Sequence, residues 1–230
     1  MNEFFQTSVF FGVFITLLSY GIGLILKRKL KFSIFNPLLI AIIFVILFLI
    51  LFHIDYTIYN QGANYISFLL TPSTICLAVP LYEQWELLKK NYKAVFLGIT
   101  SGVLTSLCSI LILAYLFQLD HASYVTLLPK SITTAIGIGV SEELGGYVSI
   151  TVTIIIITGV IGNMFAEAIC KIFKICDPIA KGIAIGTSSH AVGTAKAMEM
   201  GAIEGAMSSL SIVVSGILTV IGANIFAQFM

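Results

Sequence analysis

The chain has 230 residues, 58% of them hydrophobic and only 10% charged, and a formal net charge of +1. A soluble domain usually carries about 25% charged residues. The bilayer is therefore the solvent for most of this chain, which excludes a separate soluble domain and a nucleic-acid partner.

A spanning helix needs about 20 apolar residues. Residues 4–26 form the first such segment, followed by Lys27, Arg28, Lys29 and Lys31. The segment is too long for a cleavable signal, and its basic cluster follows the apolar stretch instead of preceding it, so a retained membrane helix is expected. Residues 37–52 form the second segment and end at His53 and Asp55 with no basic residue nearby. Residues 63–82 lead through Tyr82-Glu83-Gln84-Trp85-Glu86, an interfacial belt, into Lys89, Lys90 and Lys93. Residues 94–119 end at Asp120 and His121. A weaker segment, 124–140, carries Lys130 and ends at Glu142 and Glu143. Residues 148–173 hold Glu167 and Lys171 and lead to Lys174 and Lys181. A second weak segment, 179–197, precedes the last span, 206–229.

Cytoplasmic loops are enriched in Lys and Arg. Loops 27–31, 89–93 and 171–181 are then inside, and 53–62 and 120–123 outside. The first four segments alternate without conflict from an outside N-terminus. After the fourth the chain is outside, and after 148–173 it is inside, so 124–140 must dip in and return or fold as two half-helices. Residues 179–197 do the same from the cytoplasmic side, and the chain ends outside.

The two weak segments share a pattern. Ser131-Ile132-Thr133-Thr134-Ala135-Ile136-Gly137 runs on to Glu143-Leu144-Gly145, and Thr187-Ser188-Ser189-His190-Ala191-Val192-Gly193 runs on to Glu199-Met200-Gly201. A fainter copy over residues 74–87 has Ala78, Val79, Pro80 and Glu86 in register. Repeats built on interrupted helices that meet near the midplane are a common transporter architecture. Entering from opposite faces, the pair is expected to be an inverted repeat.

Irregular backbone at membrane depth is tolerated only where it is buried in protein or lines a water-filled cavity. Leu128-Pro129-Lys130-Ser131-Ile132-Thr133-Thr134 combines a helix breaker, a cation and three hydroxyls. Gly186-Thr187-Ser188-Ser189-His190 combines a glycine, three hydroxyls and an imidazole. A restarting helix offers free N–H groups and a positive dipole end, which suit a small anion. A single Ser or Thr in a membrane helix is more often structural, bonded to its own backbone or packed between helices. His190 has an unperturbed pKa near physiological pH and is a candidate for proton transfer or substrate contact, against the plainer reading of a packed, hydrogen-bonded ring. Lys130, Lys196, Glu143 and Glu199 are candidates for pairing or lining the path, or are interfacial anchors. There is no P-loop, nucleophile elbow or metal-ligand spacing, so no enzyme, cofactor or metal is expected. The cysteines Cys76, Cys108, Cys170 and Cys176 lack CxxC or Cys/His spacing and read as small packing residues.

Asn36-Pro37-Leu38-Leu39-Ile40-Ala41, Leu77-Ala78-Val79-Pro80-Leu81-Tyr82, the Leu128–Thr134 motif, Ala180-Lys181-Gly182-Ile183-Ala184-Ile185-Gly186 with the following Thr187–Ala197 stretch, and Glu204-Gly205-Ala206-Met207-Ser208-Ser209 carry a resemblance. Over most of its length the chain resembles the LrgB/CidB family of bacterial membrane proteins. It departs from many relatives at Ala135 (Pro), Gly139 (acidic) and Ala166-Glu167 (Gly-Pro). The resemblance implies one of two roles. One is antiholin-like: with an LrgA-type protein, such chains are described as opposing holin-like CidA and restraining murein hydrolases, autolysis and programmed cell death. The other is that of the related plastidial glycolate/glycerate translocators and of pyruvate uptake by LrgAB-type systems.

The expectation is thus a single all-α polytopic domain over residues 1–230 in the bacterial plasma membrane. It has about six full transmembrane helices plus two re-entrant or broken-helix segments. The favoured function is secondary transport of small monocarboxylates, with proton coupling through His190 or a neighbouring Glu; a lysis regulator and a passive channel are the alternatives. Ser131, Thr133, Thr134, Ser188, Ser189, His190 and Thr194 are the expected substrate-binding residues, with Lys130, Glu143, Lys196 and Glu199 for charge and coupling. Expected partners are membrane lipid, the carboxylate and an LrgA/CidA-type small membrane protein, with a homo-oligomer left open.

Overall fold

The computed structural model describes residues 10–30 and 35–230, all in helices, turns and connections with no strand among them. The first part of the 4–26 segment and Lys31 lie outside the described residues. The chain packs as two compact units, one ending at Cys76 and one spanning Leu77–Met230.

The first unit holds α1 (Phe11–Leu30), α2 (Pro37–Leu51), α3 (Tyr56–Ser67) and α4 (Leu70–Cys76). α2 starts where Asn36 Oδ1 accepts from the Leu38 and Leu39 amides at 2.8 and 3.3 Å, with Pro37 pre-set for the first helical position. Asp55 caps α3 by accepting from the Thr57 amide at 2.8 Å. Phe11 and Ile15 of α1 pack with Ile54 against Phe44, Phe48 and Tyr59. Gly12 lets α1 approach the α3 backbone at Tyr59 and Gly62, and the Thr16 hydroxyl meets Tyr59 OH at 2.9 Å.

The second unit holds α5 (Ala78–Glu83), α6 (Trp85–Phe117), α7 (His121–Leu127), α8 (Thr134–Glu143), α9 (Val148–Ile172), α10 (Pro178–Met200), α11 (Ala202–Phe226) and a 3-10 turn at Ala227–Phe229. One stripe of α6, Val95, Ile99, Val103, Leu107, Ile110 and Ala114, recurs every three or four residues and is buried. It packs with Tyr124, Leu128, Ile132 and Met207 into the main core. α10 begins at Asp177, whose carboxylate accepts from the Ala180 amide at 2.9 Å, with Pro178 in the first turn. α10 and α11 are the closest pair. A Cβ on Gly182 would press on Met207 Cβ at 2.8 Å, and one on Gly186 would press on Ser211 Cβ at 2.7 Å. Small residues give such helices close backbone approach where lipid supplies no hydrophobic drive.

Five segments among the described residues are long and apolar enough to cross a membrane: Phe11–Leu30, Tyr56–Glu83, Trp85–Phe117, Val148–Ile172 and Ala202–Phe229. α2 is apolar but shorter, at 15 residues. These six correspond to the six full segments expected, and the protein is an all-α polytopic membrane protein. Both weak segments are interrupted. Residues 124–140 divide into α7, a turn and α8, and α10 breaks at His190, with φ 41 and ψ −138. The four cysteines are free; only Cys170 is buried, so the packing role expected for all four fits that one alone.

Candidate functional site

The first break is built by Pro129. α7 ends at Leu127, and the Lys130 and Ile132 amides bond back to Leu127 O (3.1 Å) and Pro129 O (3.3 Å). Thr133 then caps α8 in extended conformation, φ −65 and ψ 147, without a side-chain capping bond. Leu128, Pro129, Ser131 and Ile132 are buried, while Lys130, Thr133 and Thr134 are partly buried. The Lys130 ammonium donates to Ser131 Oγ at 2.8 Å, and the Ser106 hydroxyl of α6 reaches the same oxygen at 3.4 Å. Among the described residues Lys130 has no carboxylate partner, and the Thr133 and Thr134 hydroxyls make no hydrogen bond to protein. α8 thus starts with open backbone N–H groups, two unengaged hydroxyls and a nearby unneutralised cation, which together favour a small anion.

The second break is at His190 itself, a non-glycine residue with positive φ, which is held only where the surroundings over-determine it. Three contacts do so. Its Nε2 lies 3.0 Å from Ile155 O of α9; a carbonyl only accepts, so Nε2 donates. The Thr194 hydroxyl donates to His190 O at 2.9 Å and meets Ser208 Oγ of α11 at 2.7 Å. Asn163 of α9 donates to Val192 O at 2.7 Å. The face of α9 beneath is cut away: a Cβ on Gly159 would lie 2.8 Å from the imidazole, and one on Gly162 would collide with Ser189. These contacts make His190 a packed, hydrogen-bonded ring at the break, and among the described residues its Nδ1 has no protein partner.

The helix that follows the first break and the second break itself meet one residue of α9. Gly137 of α8 faces the Ile155 side chain, while His190 bonds the Ile155 carbonyl. The hydroxyls of the two motifs are not hydrogen-bonded to each other. Thr187 and Ser188 instead donate back to Ile183 O and Ala184 O, each at 2.7 Å, the structural role expected of most such residues. Ser189 is buried, with its oxygen 3.0 Å from Ser188 Oγ.

The charged candidates separate. Lys196 sits away from the first break, its ammonium 2.6 Å from Glu167 and 3.2 Å from Glu199. Glu143 is the exposed last residue of α8, and Glu199 lies exposed near the end of α10, so the repeat-equivalent positions both fall at the ends of the restarted helices. Ser106 and Asn163 stand out in the sequence only as polar residues in otherwise apolar helices, and Ser208 only as a member of the Glu204–Ser209 motif. Among the described residues no cluster of His, Cys, Asp or Glu is arranged to hold a metal.

The profile of the LrgB-like family matches residues 16–229. The chain is 39% identical over 222 residues to the antiholin-like protein LrgB of Bacillus subtilis (strain 168), covering 96% of each. It is 38% identical over 221 residues to the protein of the same name from Bacillus cereus (strain B4264), again covering 96% of each. No solved structure matches.

Proposed function

Since the chain belongs to the LrgB-like family, and two interrupted helices of its second unit close on one residue of α9, we propose that it is a secondary transporter of small monocarboxylates of the pyruvate, glycolate and glycerate class. The observation that carries this reading is the start of α8: open N–H groups and the free hydroxyls of Thr133 and Thr134, with the uncompensated ammonium of Lys130 alongside. A carboxylate supplies the acceptors and the negative charge that this arrangement lacks. Interrupted helices around a midplane site are how transporters of several folds present such ends to substrate. In this reading the α7–α8 and α10 elements form an inverted repeat. Ser131, Ser188, Ser189, His190 and Thr194 shape the site, and Nδ1 of His190 is the group assigned to proton coupling. The Lys196, Glu167 and Glu199 cluster, with Glu143 at the equivalent end of α8, serves as the gate. The protein moves its substrate unchanged across the bacterial plasma membrane, with both termini outside and a small LrgA-type membrane protein as its partner.

The test is uptake of labelled pyruvate, glycolate and glycerate into proteoliposomes, with and without the small partner, at two pH gradients. Saturable uptake that falls at least tenfold in Lys130→Gln is expected. No uptake from folded protein under either condition overturns the proposal.

The names of the relatives favour a second reading, an antiholin-like regulator that restrains murein hydrolases through contact with a holin-like partner. It requires that suppression of lysis survive in Lys130→Gln and in Thr133→Val/Thr134→Val. The transport reading requires that suppression be lost in both.

A further inference from the structure

A cavity of about 500 Å³ runs between α6 and the first half of α10, lined among others by Asn91, Gly98, Ser101, Gly102, Asp177 and Thr187. Small side chains and a few polar ones line it beside Ile179 and Ile183, whereas the outer face of α6 presents the bulky Phe96, Leu97, Leu104, Ile112 and Leu116. The mouth at Asn91 and Asp177 is the basic end of the helix pair, beside Lys89, Lys90 and Lys93, and the positive-inside rule assigns this end to the cytoplasm. From Asn91 to Gly102 the helix rises about 16 Å, roughly half of a hydrocarbon core about 30 Å thick. At that depth, one turn further along the same face of α6, stands Ser106, whose hydroxyl reaches Ser131 and through it Lys130. On the other wall Thr187 is three residues from the break at His190.

We propose that this cavity is a water-filled half-channel through which the anion passes between the cytoplasm and the start of α8, with Ser101 and Ser106 of α6 as its pathway residues. The inference rests on the transport reading and adds the route to it. A path ending at mid-depth against the two breaks is what a site open to one side requires. Two glycines set how closely its walls approach, and a side chain at either would narrow it. A Cβ on Gly102 would meet Thr187 Oγ1 at 2.9 Å, and one on Gly98 would meet Ile183 Cγ2 at 3.3 Å. Asp177 is the one charged residue of the lining; Lys90 and Lys93 stand near Asn91 in the sequence at the same end and Lys130 lies beyond the inner end, so the surrounding charge is in positive surplus and favours anions over cations.

The test uses the full chain with Cys76, Cys108, Cys170 and Cys176 replaced by Ala, and a single cysteine placed at Ser101, at Ala184 on the facing wall, or at Leu97, 68% exposed on the outer face of α6. The probes are the anionic 2-sulfonatoethyl and the cationic 2-(trimethylammonio)ethyl methanethiosulfonates, applied from either side of sealed vesicles. Ser101→Cys and Ala184→Cys are expected to react at least tenfold faster than Leu97→Cys from the cytoplasmic side only. The anionic probe should lead, pyruvate should slow the reaction, and modification at Ser101→Cys should stop uptake. If the cysteine-free parent takes up carboxylate but Ser101→Cys reacts no faster than Leu97→Cys, the half-channel is overturned and the transport reading stands. A folded parent that takes up none overturns both.

Discussion

Gly159 sets how closely the break in α10 can sit on α9, and Gly159→Ala measures what that closeness is worth. The added methyl would lie 2.8 and 2.9 Å from His190 Cε1 and Nε2 and 3.0 Å from Val192 Cβ, where ordinary contact begins at 3.4 Å. An imidazole ring and a β-carbon cannot rotate away as a flexible chain end does. The break must therefore back off from α9 by about half an ångström. Ile155 lies one turn from Gly159 on the same face, so the retreat stretches the 3.0 Å bond from Nε2 to Ile155 O to about 3.5 Å, at the edge of hydrogen bonding. Overpacking costs about 1–3 kcal/mol, and weakening a buried hydrogen bond adds about 1 kcal/mol. The better helix propensity of Ala returns about 1 kcal/mol. The expected result is a loss of about 2 kcal/mol, or a fall in Tm of several degrees for a chain of this size, read by thermal unfolding in detergent. Gly139→Ala is the control: a Cβ there meets nothing within 4 Å, so the variant should gain up to about 1 kcal/mol. A Gly159→Ala protein as stable as Gly139→Ala would refute the view that this contact holds the break.

Two further outcomes follow from the polar contacts. Lys196 is 18% exposed and Glu167 48% exposed, so their pair lies between a surface and a buried salt bridge. After discounting for solvent screening, a double-mutant cycle of Lys196→Met with Glu167→Gln should give a coupling near 1 kcal/mol, and a coupling of zero would leave Lys196 an ordinary surface anchor. At Asp55, the Thr57 amide and then the Thr57 hydroxyl hold the carboxyl below its ordinary value of 3.8. A carboxyl lowered in the folded state stabilises above its unfolded pKa, and the contribution fades as pH falls through the lowered folded value. Protection of the first-turn amides of α3, measured as exchange relative to the intrinsic rate at each pH, should therefore fall at acid pH in the wild type and change less in Asp55→Asn, whose cap does not titrate.

The breaks were legible because Pro129, and Gly186 with its hydroxyls, interrupt apolar periodicity, and because charge alternation forbade single crossings there. The residue at which α10 breaks was not. Gly186 is the conformationally free residue nearby, yet it stays helical and opposes Ser208 and Ser211, while His190 takes the positive φ. Contacts across helices decide this, and Asn163 supplies one of them from a segment that reads simply as a span, while Ser208 supplies another from a motif that carries no sign of this contact. The same limit hid the partner of Lys196. Sequence spacing offered Glu199, one turn away, but Glu167 comes from α9 and is the nearer carboxylate. Hydroxyls were the hardest to assign, because each can bond its own helix. Thr187 and Ser188 do, whereas Thr133 and Thr134 do not, and only the local backbone separates the cases.

That self-bonding has a consequence for α6. Thr100, Ser101, Thr105 and Ser109 each donate to a carbonyl three or four residues earlier, at 2.5–2.8 Å. A hydroxyl whose hydrogen is already engaged within its own helix is nearly indifferent to its neighbour. Water can still bond its lone pairs, and a lipid chain or an apolar side chain leaves no donor stranded. This face of α6 can thus be wetted and dried in turn at little free-energy cost, a neutrality that a helix bordering an intermittently hydrated passage needs and that neither a purely apolar nor an openly polar surface provides.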